Sequence, residues 1–230
     1  MKFCLLFFSI IIFLGCSSQD GKNVDETEEF EIEDSETGDF ETGDDELVDE
    51  EMHPEITESV LLETNKGDIK LGLYGVEVPD TVDNFIQYVK AGFYDGLIFH
   101  RVISGFVIQG GGFNEQLEPA ETRAPISFEG TPKVKHVKYA LSMARSNSIN
   151  SASSQFFITL DVFPHLDFTN EDDFYDENKF PCTAFGIVLE GFEVVDAIAE
   201  VETDEGDVPV DAIIIKKAQV AEMNSVYSKR

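Results

Sequence analysis

The apolar residues after position 59 first follow the pattern of a β-hairpin. One apolar run covers residues 60–62 and a second covers residues 69–74, with Asn65-Lys66-Gly67 between them. Apolar runs on both sides of a glycine-containing turn predict two paired antiparallel strands.

The next segment has the spacing of an amphipathic helix. Its apolar positions fall at i, i+3, i+4 and i+7 and are Val82, Phe85, Ile86 and Val89. This spacing puts them on one helix face. The helix is predicted to begin near Pro79, with Asp80 or Thr81 as the N-terminal cap and Gly92 at its end.

A second helical stripe follows Gly191, and short apolar runs occupy much of the chain between the two helices. The stripe consists of Val194, Val195, Ile198 and Ala199; the runs cover residues 97–103, 106–109, 139–144, 156–160 and 184–189, and a last run covers 212–215. Many short strands with two helices predict an all-β domain over residues 60–220, a closed antiparallel barrel capped by helices. Residues 221–230 are then a C-terminal tail.

The first 15 residues have the pattern of an export signal. Lys2 precedes an apolar run over residues 3–14, which is shorter than the roughly 20 residues that a bilayer span needs. The run ends in Leu14-Gly15-Cys16, which resembles the bacterial lipobox, in which the cysteine is acylated. We therefore expect a lipoprotein signal peptide over 1–15. Lipidated Cys16 would anchor the protein to a membrane of a bacterial cell envelope, with the domain outside the cytoplasm. An ordinary cleaved signal is the alternative.

Residues 16–59 are predicted to be an acidic, disordered tether. From residue 17 onward this stretch holds 19 Asp and Glu against Lys22 alone, and it has few apolar residues. Such a composition cannot form a core, and its charges repel one another. A solvated spacer is the favoured interpretation, and a weak cation-binding or partner-binding tail is the alternative.

The composition also argues against several classes of protein. The chain has 46 acidic and 16 basic residues, and nucleic-acid binding needs clustered Lys and Arg. Three cysteines are too few for a disulfide scaffold. The four histidines and three cysteines show no metal-ligand spacing, so we predict no metal site.

Four ordered segments resemble the signature segments of the cyclophilins. They are FHRVISGFVIQGG at 99–111, LSMAR at 141–145, SSQFFI at 153–158, and AFGIV with GFEVV within 184–195. The resemblance covers about residues 60–220. It implies an eight-stranded antiparallel barrel capped by two helices, peptidyl-prolyl cis–trans isomerase activity, and no metal or organic cofactor.

The resemblance also implies roles for individual residues. Arg101 matches the catalytic arginine, and Phe106 and Gln109 complete the catalytic set. The residues expected to bind substrate are Val107, Ala144, Arg145, Gln155, Phe157, His165, Leu166 and Cys182. The chemistry suits such a set, because rotation about an X–Pro amide faces a barrier of roughly 18–20 kcal/mol and needs no nucleophile. A fixed cationic donor near the prolyl nitrogen, in an apolar pocket, stabilises the twisted amide.

Several residues depart from the family pattern. Val107 stands where many cyclophilins have Met, His165 where some have Trp, and Cys182 where His is common. Tyr139 replaces a common Gly. The acidic segment 167–179, named here the insertion loop, is predicted to be a long loop near the rim of the active site.

Two functions are therefore considered. The first is a monomeric isomerase that acts on X–Pro bonds of exported proteins and assists their folding. The alternative is a membrane-tethered binding module that holds Pro-containing segments with little turnover. In both cases the expected partners are Pro-containing polypeptides and, through Cys16, a membrane.

Overall fold

The computed structural model describes residues 54–223. The predicted signal peptide, the lipidation of Cys16, and most of the predicted tether and C-terminal tail lie outside the described residues. The described elements are β1 (Glu58–Thr64), β2 (Asp68–Leu73), α1 (Pro79–Lys90), β3 (Leu97–Ile103), β4 (Val107–Asn114), β5 (Ala140–Met143), β6 (Phe156–Thr159), β7 (Ala184–Glu190), α2 (Phe192–Ala199) and β8 (Ile213–Ala221).

The eight strands form a closed antiparallel barrel. Their order around the barrel is β1-β2-β7-β5-β6-β4-β3-β8. The last strand closes the ring by pairing with both β1 and β3. This architecture confirms the predicted fold class. No helix within residues 54–223 has the length and apolar character to cross a membrane.

The first two strands form the predicted hairpin. Val60 and Leu62 on β1, and Ile69 and Leu71 on β2, are fully buried. Their alternation with less buried neighbours places them on the inner face of the sheet. Gly67 adopts φ +136° in the connecting turn, a backbone conformation that favours glycine.

Helix α1 packs its predicted apolar stripe into the barrel core. Phe85 is fully buried, and its ring centroid lies 5.3 Å from that of Tyr94, 5.5 Å from that of Phe156 and 5.2 Å from that of Phe185. Gly92, with φ +65°, follows the last turn as predicted.

The predicted N-terminal cap of α1 is wrong. The N-cap residue is Val78, which has no acceptor in its side chain, and Pro79 begins the helix. Asp80 and Thr81 therefore lie inside the first turn, where their own N–H groups lack helical partners. The carboxylate of Glu129 accepts from both of them, at 3.2 Å and 2.8 Å.

Helix α2 follows the predicted pattern. Val194, Val195, Ile198 and Ala199 are its buried residues. Gly191, the N-cap residue, has φ +87°, and a Cβ there would clash with the carbonyl oxygen of Asp68. Only glycine allows this close approach between the helix and β2.

Strand β4 is longer than predicted. The apolar run ends at residue 109, but the strand continues through three glycines to Asn114. Glycine is depleted in strands, so the pattern does not reveal this continuation. Gly111 has φ +79°, and a Cβ there would lie 2.8 Å from the ring of Tyr94. A side chain at this position would therefore clash with the core.

Candidate active site

A cavity of about 210 Å³ opens on the outer face of the barrel. Phe156 and Ile158 on β6 point into the main core, whereas Phe157 between them belongs to a separate cluster. Side chains alternate between the faces of a strand, so Phe157 points outward. The cavity is lined by Arg101, Phe106, Val107, Gln109, Ala144, Arg145, Phe157, Leu166, Phe180 and Cys182.

Strand register brings the lining residues together. Arg101 on β3 lies opposite Gln109 on β4, and Gln109 lies opposite Phe157 on β6. Phe157 in turn lies opposite Ser142 on β5. Directly opposite residues share one face of an antiparallel sheet, so one row crosses four neighbouring strands. Residues distant in the sequence thus meet at the cavity.

Arg101 lies at the edge of the cavity and is held by two different partners. Its Nη1 lies 3.4 Å from Oε1 of Gln109, whose Nε2 donates to Oε1 of Gln155 at 3.0 Å. Its Nε lies 3.7 Å from a carboxylate oxygen of Asp207, in a pair whose side chains are 40% and 46% exposed. The guanidinium is therefore oriented by a neutral amide and a solvated carboxylate.

The floor and walls of the cavity are apolar. Val107, Phe157, Leu166 and Cys182 are buried together, and Phe106 packs against them. Burial raises the pKa of the Cys182 thiol to about 11, against a smaller opposing effect of the Arg145 charge. The side chain is thus an uncharged thiol at neutral pH and acts as part of the apolar wall.

A buried polar chain supports Phe157 from behind. His136 is 1% exposed, and its ring stacks on that of Phe157 with 6.1 Å between centroids. Its Nδ1 lies 2.9 Å from Asp167 Oδ1, and its Nε2 lies 2.9 Å from Ser142 Oγ. Burial alone would raise the pKa of Asp167, but hydrogen bonds from the ring and the main-chain N–H of His136 hold that pKa below its usual range.

The rim of the cavity is formed by Ala144 and Arg145. The main-chain N–H of Ala144 donates to the carbonyl of Gln155 within the barrel wall. The Arg145 guanidinium donates from Nε to the carbonyl of Pro181 at 2.7 Å and stacks over the ring of Phe180 at 3.7 Å. Both contacts fix the arginine beside the cavity.

Two predicted site residues lie next to the cavity and do not line it. Gln155 lines an adjoining groove of about 310 Å³ together with Gln109 and Arg145. His165 is exposed at the rim, and its ring lies nearly parallel to that of Phe106 with 6.4 Å between centroids. The other predicted catalytic and substrate-binding residues all line the cavity.

Three residues of the site are absent from the predicted set. Phe180 lines the cavity, Phe163 packs on Phe106 with 4.9 Å between ring centroids, and Asp207 contacts Arg101. Phe163 and Phe180 are aromatic residues close in sequence to Leu166 and Cys182, so their positions could have indicated that they belong to the site. No local pattern marks Asp207, because only the fold brings it to Arg101. Within residues 54–223, no group of three or more His, Cys, Asp or Glu is placed to hold a metal ion.

The family model described as cyclophilin-type peptidyl-prolyl cis-trans isomerase/CLD matches residues 59–220. The chain belongs to this family. Its barrel, its two helices and its cavity are those of a peptidyl-prolyl isomerase, and the chain is an enzyme of that class.

Similar proteins include isomerases from distant organisms. Peptidyl-prolyl cis-trans isomerase cyp18 of Streptomyces antibioticus is 42% identical over 166 residues, which cover 70% of this chain and 98% of that protein. Peptidyl-prolyl cis-trans isomerase B of Escherichia coli is 38% identical over 167 residues, covering 71% and 99%.

A solved structure resembles the chain as well. It is a Cryptosporidium parvum cyclophilin-type peptidyl-prolyl cis-trans isomerase, determined in the presence of the dipeptide Ala-Pro. It is 30% identical, has a TM-score of 0.60, and covers 72% of this chain and 99% of its own. The family assignment favours the enzyme over a module that only binds.

Proposed function

We propose that this isomerase acts on X–Pro bonds of exported polypeptides and speeds their folding, while anchored to an envelope membrane through Cys16. X–Pro isomerisation takes tens of seconds without catalysis and limits the folding of many chains. The export signal and the lipobox-like Leu14-Gly15-Cys16 support the location. The acidic tether would hold the domain away from the bilayer surface.

The single observation that carries the catalytic proposal is the position of Arg101 beside an apolar cavity. The cavity is sized for a small ring, and its floor consists of Val107, Phe157 and Leu166. A prolyl ring held there loses water, which strengthens electrostatic interactions at its edge. The similar isomerase structure that was determined in the presence of Ala-Pro supports a Pro-containing peptide as the ligand of such a cavity.

The mechanism assigns each group a role in amide rotation. The Arg101 guanidinium donates toward the prolyl nitrogen as it becomes pyramidal, which stabilises the twisted amide. Gln109 orients that guanidinium, since its carbonyl oxygen faces Nη1. Phe106 closes the side of the prolyl pocket. No bond is broken, so no nucleophile or general base is required.

The main chain of the substrate runs along the rim in this proposal. The Ala144 N–H is already bonded to Gln155, so the carbonyl of Ala144 and the main chain of Arg145 are the groups that pair with the substrate. Gln155 and His165 then contact residues that flank the proline. These roles follow from their places beside the cavity.

Two measurements test the proposal. The full chain should accelerate the slow, proline-limited refolding phase of an exported protein in proportion to enzyme concentration, and an unchanged slow phase would refute the folding role. Cys16→Ser should move the protein from the membrane fraction to the soluble fraction. A Cys16→Ser protein that stays membrane-bound would refute the lipid anchor and leave the isomerase activity unaffected.

A further inference from the structure

The insertion loop is an ordered segment held together by its own hydrogen bonds and one ion pair. Asn170 caps a 3₁₀ helix over Glu171–Phe174, and its side chain accepts from the Asp172 N–H at 2.8 Å. Asp173 is buried and accepts from Lys179 Nζ at 2.7 Å and from Thr169 Oγ1 at 2.8 Å. The Lys179 charge is therefore paired within the loop, and these contacts hold the loop backbone in one conformation.

The same loop presents aromatic rings to solvent. Phe174 packs edge-on against Phe128, with 5.5 Å between centroids, and stacks against Phe168 at 5.4 Å, yet 42% of Phe174 stays exposed. Tyr175 is 88% exposed, and Phe180, which directly follows the loop, is 38% exposed. Several exposed rings on and beside one ordered loop indicate a contact surface, because rings gain most from stacking on a partner.

These rings border a groove that adjoins the proline cavity. The groove has a volume of about 390 Å³, near the lower end of the roughly 300–1,000 Å³ typical of ligand sites. Its lining includes Phe174, Tyr175 and Ile149. Arg145 and Phe180 line both the groove and the proline cavity, so one polypeptide segment can contact both.

The shared wall selects for a flat, aromatic occupant. The Arg145 guanidinium is held in place by the carbonyls of Pro181 and Ser146, which accept from its Nε and Nη1, and it lies over the Phe180 ring. A guanidinium plane and neighbouring rings offer stacking surfaces to another ring, and an aliphatic side chain gains less from them.

We propose that this groove, lined by Phe174, Tyr175, Phe180 and Arg145, is a secondary subsite that binds an aromatic side chain of the substrate near the prolyl residue. The inference rests on the proposed function, since the occupant belongs to the same polypeptide whose proline fills the main cavity. The insertion loop thereby makes the enzyme selective for prolines with a Phe, Tyr or Trp nearby in the sequence.

The test is an isomerisation assay with the full chain on a peptide set. A reference X–Pro peptide has alanine at the three positions on each side, and its relatives carry Phe at one position at a time. At one position, Phe should raise kcat/KM by about five- to tenfold, mainly through KM. Leu at that position should give less than half of this gain. No turnover of the alanine reference would refute the proposed function itself, and equal turnover across the set would refute only the subsite.

Variants of Tyr175 separate the subsite from general hydrophobicity. In Tyr175→Ala the ratio of kcat/KM for the Phe and Ala peptides should fall to within about twofold of one, whereas Tyr175→Phe should keep the wild-type ratio. Val162→Ala, which truncates another exposed apolar residue outside the groove, is the matched control and should keep it as well. A wild-type ratio in Tyr175→Ala, or an equal loss in Val162→Ala, would overturn the proposal.

Discussion

The charge of Arg101 remains available to the cavity because its partners neutralise it weakly. Gln109 is neutral, and the Asp207 carboxylate lies 3.7 Å from Nε in a solvated pair. Exposed ion pairs contribute little, about 0–1 kcal/mol, because water screens them. The guanidinium is therefore held in one orientation while its charge is only weakly neutralised. This suits a group that must stabilise an amide as it rotates.

Replacing Arg101 should remove most of the turnover and leave the fold intact. Arg101→Ala should lower kcat/KM by about 10²-fold or more, the scale of losing one electrostatic stabiliser. The measurement is an X–Pro peptide assay, with circular dichroism to check folding. Arg123→Ala is the control, since Arg123 contacts Gln87 and Tyr88 and lies outside the cavity lining. Full activity in a folded Arg101→Ala protein would contradict the mechanism.

The Asp167 carboxylate should make stability depend on pH. Its pKa is below the usual range in the folded state, so ionisation of Asp167 favours folding. This contribution is complete above the unfolded pKa of about 3.9 and is lost as the pH falls through the folded value. Asp167→Asn should lower the unfolding free energy by about 1–3 kcal/mol at pH 7, because buried hydrogen bonds of His136 are disturbed.

Urea denaturation at several pH values checks this expectation. The difference in unfolding free energy between the wild type and Asp167→Asn should stay constant from pH 7 to pH 5 and narrow below about pH 4. The Nζ of Lys135 lies 3.9 Å from the same carboxylate. A difference that is unchanged at pH 3 would show that the carboxylate charge is not involved.

At the scale of elements, the start of α1 depends on a residue distant in sequence. Glu129 accepts hydrogen bonds from Asp80 and Thr81 and also places negative charge at the positive end of the helix. Glu129→Ala should lower the unfolding free energy by about 1–2 kcal/mol, and Glu129→Gln by less, because the amide keeps one acceptor. Chemical denaturation measures both. As the control, Glu121→Ala at an exposed position should change the unfolding free energy by no more than about 0.5 kcal/mol. Equal losses at Glu129 and Glu121 would contradict the role of Glu129 as the cap of α1.

The spacing of apolar residues predicts those elements that are stabilised by burying one face. The hairpin and the stripes of both helices follow from the spacing of apolar residues, because burial of one face is what stabilises them. The cap by Glu129 and the contact of Asp207 with Arg101 involve residues far apart in sequence. Sequence spacing carries no signal for such pairs, so only the fold reveals them.

The candidate site also combines residues that the sequence identifies with contacts that only the fold reveals. Resemblance to the family locates nearly all of the cavity lining, because the matching segments lie on the strands that build it. Phe180 lies at the end of the insertion, where the family pattern gives no guide. The 3₁₀ helix within that insertion also has the Asp173–Lys179 ion pair, which the spacing of apolar residues does not predict.

At the scale of the whole molecule, excess negative charge should steer substrates. Residues 60–230 hold 27 acidic and 14 basic residues, and four exposed acids lie on the insertion loop, which lines the groove beside the cavity. Peptides with Lys or Arg flanking the proline should show kcat/KM several-fold above peptides with Asp or Glu at low ionic strength. The ratio should approach one in 0.5 M salt, because exposed charges are screened.

Charge-neutral variants locate the source of this steering. The triple variant Glu171→Gln, Asp172→Asn and Glu177→Gln should reduce the ratio at low salt by more than half. A matched variant that neutralises Glu121, Glu193 and Glu200, which are exposed elsewhere, should change it little. Equal effects of the two triple variants would assign steering to net charge and exclude a special role of the insertion loop.

The closure of the barrel by its first and last strands has a consequence for how the domain can be joined to other proteins. Ser59 pairs directly with Ala221, so the chain enters and leaves the domain at neighbouring points. In the ring order, β1 lies four strands from β6, which carries Phe157. A short linker could therefore connect the two ends into a circular permutant. The whole domain could equally be inserted into a surface loop of a host protein, with Phe157 on the opposite side of the ring from β1.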